Sequence, residues 1–172
     1  MNINTFLDQT AGDWFSQRTT YNLSLDKVDN SKANVKINLL SSTNSQISQL
    51  SGQYHLNLDL SIGGIASSWE NSPDWGKPKQ QGENVILIFR DANDDNTGKI
   101  LRVLKNNKGL IGKYILAEDE SLTLIIEENN QYIEERIWFG NDNLKFRHTM
   151  VKDSKKLIQT SFYSEIRKLI SN

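Results

Sequence analysis

Apolar and polar residues alternate with period two along most of this chain, and the alternation predicts strands rather than helices. Ten such stretches stand out: 13–25, 33–40, 56–69, 84–90, 99–104, 112–117, 121–128, 131–139, 144–152 and 156–167. Turn chemistry separates them, with Asp-Asp-Asn-Thr-Gly at 94–98, Asn-Asn-Lys-Gly at 106–109 and Asn-Asp-Asn at 141–143. Two pieces instead carry helical spacing. The first is 3–9, capped from Asn2 or Asn4, and the second is 44–53, with Ile47 and Leu50 at i, i+3. Segment 70–83 holds both prolines and reads as a long exposed loop with Trp75 at its centre, either a lid or a contact for a partner. Short strands at near-regular spacing, with no long helical crossover, predict an all-β antiparallel meander. About ten strands can close into an up-and-down barrel with room for one small ligand, although an open sandwich carries the same pattern.

Several strand faces are neither apolar nor polar. Trp14, Ser16, Arg18 and Thr20 share one face, and Lys145, Arg147, Thr149 and Val151 another. A barrel with a partly hydrophilic lumen produces such mixed faces. Patterning alone reads Arg18, Arg147 and Glu165 rather as solvated rim charges. It makes Trp14, Trp69 and Trp138 core aromatics and His148 a packed or hydrogen-bonded histidine. The adjacent pair Glu134–Glu135 could do proton work, but two carboxylates on opposite faces of a strand read rather as solvent charge.

Composition narrows the chemistry. The 172 residues suit a single domain spanning 1–172. Twenty basic against twenty-one acidic residues leave no basic block for nucleic acid. No stretch approaches the ~20 apolar residues of a membrane helix, and the start lacks the basic, apolar pattern of a secretory signal. The expected location is the cytoplasm. There is no cysteine, so no disulfide, thiolate metal site or cysteine nucleophile. Two histidines give little scope for a metal centre. Nucleophile-elbow, phosphate-loop and zinc-protease motifs are missing from the sequence.

Four blocks, in collinear order, resemble the S-type phycobiliprotein lyases of the CpcS/CpeS family. They are GDWFSQRTTYNL at 12–23, GGIASSWE at 63–70, EERIWFGNDNLKFRHTMV at 134–151 and TSFYSEIRK at 160–168. The resemblance, closest to a phycoerythrin-type member, implies a lipocalin-like or fatty-acid-binding-protein-like barrel. It also implies a lyase that binds a phycobilin without covalent linkage and joins it through a thioether to a cysteine of an apo-phycobiliprotein. The bilin is then substrate rather than prosthetic group. Carried over by position, Arg18 and Arg147 would hold propionates or ring carbonyls. Glu135 and Glu165 are candidates to bridge pyrrole N–H groups, Trp69 and Trp75 would stack on or cover the rings, and Thr149 would keep a hydroxyl in the site. Lys145 departs from the arginine common there, which weakens any bidentate role. The wealth of Asn, Ile and Lys fits an AT-rich, small-genome cyanobacterium or its phage. On that ground phycoerythrobilin and a phycoerythrin subunit are the expected pair. A bilin reductase could hand over the pigment, a homodimer is left open, and a plastid location would require a removed transit peptide. The competing class is a non-catalytic carrier of bilins or another hydrophobic ligand.

Overall fold

In the computed structural model, which describes residues 1–104, 106 and 108–169, the period-two stretches form ten antiparallel strands. These are β1 (Gly12–Asn22), β2 (Lys27–Leu40), β3 (Ser61–Glu70), β4 (Gln81–Asp91), β5 (Asp94–Val103), β6 (Gly109–Leu116), β7 (Leu122–Glu128), β8 (Gln131–Asn141), β9 (Leu144–Asp153) and β10 (Lys156–Arg167). Each pairs with its sequence neighbours, and β10 returns to β1, so the meander closes into a barrel. That closure excludes the open sandwich. Closure leaves no free edge between first and last strand.

Helix α1 (Ile3–Thr10) closes one end. Asn2 caps it by accepting the Thr5 N–H at 2.9 Å. Ile3, Phe6, Leu7 and Thr10, spaced i, i+3, i+4, i+7, are its buried stripe. Phe6 meets Phe139 edge-on at 5.2 Å between centroids, and Trp14 Nε1–H donates to the Thr10 carbonyl at 2.9 Å. At the helix C-terminus, Arg167 donates to the carbonyls of Ala11 and Gln9, each at 2.6 Å, offering cation to the negative end of the dipole. The plug is thereby tied to both β1 and β10.

Helix α2 (Ser45–Gln53), capped by Asn44, lies outside the barrel. Its Ile47 packs with Leu87, Phe89, Leu101 and Val103 of β4 and β5, all buried. The inward faces of the same strands put Ile86, Ile88 and Ile100 against Leu122, Leu124, Ile126 and α1. Both faces are therefore apolar over Val85–Phe89 of β4 and, apart from Arg102, over Ile100–Val103 of β5, and these segments read as near-continuous hydrophobic runs.

Strand ends moved in informative ways. β1 stops at Asn22, and Leu23 and Leu25, which extended the alternating pattern, sit exposed in the turn. Residues 56–60 are not strand. They make a turn and a short 3-10 segment at Leu58–Leu60 before β3 begins. The polar run 94–98 is not a turn but the start of β5, because the reversal is completed in the two residues Ala92 and Asn93. Expected turn 106–109 is met by an N–H of Lys108 donating to Asn106 Oδ1 at 3.1 Å, while residue 107 lies outside the described residues. The proline loop narrows to residues 71–80 as β3 and β4 run into it, and it is well anchored. Asn71 accepts from the Gln80 N–H at 2.6 Å and donates to the Pro78 carbonyl at 3.0 Å.

Candidate functional site

Opposite the plug the barrel is open, and its interior holds a cavity of about 440 Å³. That is within the range of small-molecule sites. One wall is apolar, built from Ile65, Ile86, Ile88, Leu122 and Leu124. The other is charged, and its residues come from β8, β9, β10 and β1.

Register explains how the charges assemble. Pleating alternates side chains across the sheet, so every second residue of neighbouring strands forms an inward rung. The deepest rung is Phe139–Lys145–Glu165–Ser16. Next comes Ile137–Arg147–Tyr163–Arg18, and towards the mouth Glu135–Thr149–Ser161–Thr20. From across the lumen, Arg102 of β5 reaches Glu135 at 2.7 Å. Glu135 also meets Arg147 at 3.3 Å, Arg147 meets Glu165 at 3.1 Å, and Glu165 meets Lys145 at 3.1 Å. The result is one continuous chain of alternating charge, Arg102–Glu135–Arg147–Glu165–Lys145.

Glu165 is 1% exposed, Lys145 3% and Glu135 8%, so rim charge is the wrong description for Glu165 and for the Arg147 clamped between the two glutamates. Burial pushes the Glu135 carboxyl up, but the charges and hydrogen bonds of Arg102 and Arg147 outweigh it and hold the group at about 2. Glu165 shows the same contest. Burial raises it, and Arg147 with Lys145 brings it below the ordinary carboxylate range. Burial lowers the Lys145 ammonium despite its glutamate partner. Both carboxylates stay ionised at neutral pH.

The guanidinium groups are not saturated. The Nε–H groups of Arg18, Arg102 and Arg147 are buried without an acceptor among the described residues, an expensive arrangement unless a ligand supplies one. The five-membered chain carries three cations and two carboxylates, leaving one positive charge facing the cavity. The Arg147 guanidinium also lies 3.9 Å from the centroid of the Tyr163 ring. Lys145 and Arg167 lie 4.3 and 4.2 Å from that of Trp14, which links the charged wall to the floor.

Other candidates fall in different places. Arg18 lines the cavity at the mouth, half-exposed and 3.5 Å from Asp29, so it is both rim charge and cavity wall. Trp69 faces inward at the end of β3, where Gly82 makes space for it. A side chain at Gly82 would stand 2.6 Å from the indole nitrogen. Trp75 is 96% exposed on the 71–80 loop and does not line the cavity, so it covers nothing. Thr149 shares an inward rung with Glu135 but does not line the cavity. Glu134, on the outer face, accepts from the Tyr132 hydroxyl. His148 is hydrogen-bonded as expected, at 2.8 Å from Thr160. Of the three expected core tryptophans, only Trp14 is core. Trp69 faces the cavity, and Trp138 lies outside the barrel, 5.6 Å from Phe146 and 6.2 Å from Phe162.

Arg102 was missed. The available signal was an arginine two residues after Ile100 within the apolar run Ile100–Val103, a position that surface chemistry does not explain.

Comparison with known proteins bears on this geometry. The model of the CpeS-like proteins matches residues 2–168. The chain belongs to the CpeS-like family. A chromophore lyase CpcS/CpeS of Thermosynechococcus vestitus is 33% identical across 97% of this chain and 93% of its own length. A second chromophore lyase CpcS/CpeS, from Trichodesmium erythraeum, is 32% identical across 99% of this chain and all of its own. The solved S-type phycobiliprotein lyase CPES of Guillardia theta superposes with a TM-score of 0.83 over 99% of this chain and 95% of its own, at 22% identity, a likeness of fold. Membership in this family of lyases selects enzyme over passive carrier. It leaves pigment and acceptor to the chemistry of the site.

Proposed function

We propose that this CpeS-like protein binds phycoerythrobilin non-covalently in its barrel and attaches it to a cysteine of an apo-phycobiliprotein subunit, a phycoerythrin subunit by preference. The observation carrying this is the set of three unpaired guanidinium Nε–H groups on a charged wall that faces an apolar wall across one cavity. A linear tetrapyrrole has that same division, with two propionates, four pyrrolic nitrogens and a flat apolar body.

In this reading the propionates enter among Arg18, Arg102 and Arg147, where charge-assisted hydrogen bonds contribute about 1.5–3 kcal/mol each. The ionised carboxylates Glu135 and Glu165 favour a protonated tetrapyrrole, the better electrophile. A bilin with two propionates and one added proton carries a single net negative charge, which the surplus positive charge of the wall balances. Ile86, Ile88 and Leu124 take the apolar faces of the rings, and Trp69 stacks at the mouth. The acceptor thiolate then adds to the A-ring ethylidene. A carbon–sulfur bond forms, the alkene pair takes up a proton at the neighbouring ring carbon, and no oxidant is required. The protein contributes position and charge rather than a covalent intermediate. The bilin enters as substrate and leaves as part of the acceptor.

The test is titration of the purified protein with phycoerythrobilin and with phycocyanobilin, followed by transfer to apo-subunits and a denaturing gel. We expect a coloured complex that loses its pigment in acidic denaturant, and pigment on the acceptor band when phycoerythrobilin and a phycoerythrin subunit are supplied. Pigment comigrating with this chain would overturn the reading. Preference for phycocyanobilin would replace the pigment but keep the chemistry.

A further inference from the structure

The barrel has one closed end and one open end, so an acceptor protein must approach from the mouth. Two features of that rim run against ordinary surface chemistry. The first is the β1–β2 hairpin. Its strand β2 pairs with β3 only from Asn34 onward, so residues 27–33 project past β3 at the mouth. At its tip Tyr21, Leu23, Leu25 and Val28 are 47%, 52%, 62% and 59% exposed. Tyr21 and Val28 are direct cross-strand partners. The tip is ordered, not frayed. Asn22 Oδ1 accepts the Leu25 N–H at 3.1 Å, the Leu23 N–H donates to the Ile158 carbonyl at 2.9 Å, and Asp26 takes a left-handed conformation at φ 51 to complete the turn.

The second feature is the 71–80 loop, which packs on the projecting part of β2. Asp74 accepts the Lys32 N–H at 3.1 Å, and Lys77 reaches Asp29 at 3.0 Å as well as the Asn30 carbonyl. This blunts the bare β2 edge with charge. It also holds the almost fully exposed Trp75 beside the hairpin.

Resting on the function proposed above, we infer that the hairpin tip (Tyr21, Leu23, Leu25, Val28) together with Trp75 is the docking surface for the acceptor protein. The occupant follows from place and size. The same hairpin and loop contribute Asp29, Lys32, Lys77 and Pro78 to the cavity lining, so the patch flanks the mouth through which the acceptor thiol must reach the pigment. Five side chains are well short of the roughly 800 Å² per partner of a standard stable interface, which disfavours a permanent dimer. They are enough for the aromatic and aliphatic anchors of an encounter that must release its product. A rigid tip also spares the acceptor the entropy of ordering a loop.

The experiment uses Leu23→Ser/Leu25→Ser, with Leu23→Met/Leu25→Met as the conservative control, in the full chain. Both pairs are exposed, and circular dichroism checks folding. Direct capture of apo-phycoerythrin subunit is measured with pigment-free and phycoerythrobilin-loaded protein, alongside bilin titration and transfer rate against acceptor concentration. We expect the serine variant to bind bilin as wild type does, to weaken capture and raise the acceptor KM at least tenfold, and to keep kcat within about twofold, with the methionine variant near wild type. Unchanged capture and KM in the serine variant overturn the docking surface. So does wild-type sedimentation as a dimer that the serine variant converts to monomer, since the occupant would then be a second copy. Failure of the wild type to bind any bilin refutes the function proposed above, while pigment-free capture still reads the docking surface by itself.

Discussion

The two sides of this barrel solve the same packing problem in opposite ways. Over Val85–Phe89 of β4 and the second half of β5 both faces are apolar apart from Arg102, which reaches across to the charged wall. Ile86, Ile88 and Ile100 point inward, and Leu87, Phe89 and Leu101 point out under α2. On β8 to β10 the order is reversed. Lys145, Arg147, Glu135 and Glu165 point inward, while Trp138, Phe146 and Phe162 cover the outside, with Phe146 and Phe162 stacked at 5.9 Å. The first side is held by burial of apolar surface and by a helix that removes both faces from water. The second side spends stability on desolvated charge, because buried ion pairs rarely outperform hydrophobic replacements. A fold that can build the first kind of wall and yet builds the second has a use for the charges. The apolar side supplies rigidity, and the polar side supplies the chemistry.

Three measurements would break or sharpen that contrast. The largest effect is expected for Arg147→Ala, which leaves Glu135 and Glu165 each with one cation instead of two. Stability measured by urea unfolding should fall by about 3–5 kcal/mol, and bilin affinity by ten- to hundredfold. Ile100→Ala on the apolar side should cost a similar ~2–5 kcal/mol with little change in affinity. Equal loss of affinity in both variants would mean that the two walls do not divide the work.

A smaller effect is expected from acid. A carboxyl held below its unfolded value contributes stability that is fully present above about 4.5 and is lost as pH falls toward the folded value of about 2. Each tenfold change in proton affinity between the folded and unfolded chain is worth about 1.4 kcal/mol, so Glu135 accounts for up to ~3 kcal/mol of that decline. Glu165 is lowered in the same direction. Urea midpoints between pH 7 and 2.5 should therefore drop below pH 4.5 in the wild type, and more gently in Glu135→Gln. A decline equally steep in the variant would assign the acid sensitivity elsewhere.

The smallest change in stability is expected from Lys145→Met combined with Glu165→Leu, which replaces a buried ion pair by apolar side chains. The unfolding midpoint should stay level or rise, while bilin binding weakens. A marked loss of stability would show that this pair specifies the local packing and is not retained for the ligand alone.

Much of this was legible along the chain. The ten strands, both helices and the Asn2 cap of the first follow from local rules, because alternation and capping are properties of neighbouring residues. Barrel closure is not local. It depends on β10 finding β1, and the same alternation serves an open sandwich. The ends of β1 and β3 were misread for a related reason. Leu23 and Leu25 continue an apolar pattern that in the folded chain faces neither core nor cavity, while Leu56 precedes and Leu58 opens the short 3-10 segment before β3.

The site divides in the same manner. Residue types, mixed faces and the family resemblance pointed to Arg18, Glu135, Arg147, Glu165 and Trp69, all of which line the cavity. Which face turned inward was undetermined, since a one-residue shift in register exchanges the two faces of a strand. Arg102 comes from β5, 33 residues before the glutamate it holds, and no spacing rule joins them. Trp75, singled out by its isolation in a proline loop, proved to be outside the cavity because Asp74 and Lys77 fasten that loop to β2. The sequence by itself determined the strands, the plug helix and the kind of chemistry. Tertiary structure decided which charges meet, which carboxylates stay ionised despite burial because cations face them, and which apolar residues remain at the rim, because those properties belong to pairs of residues brought together across the barrel.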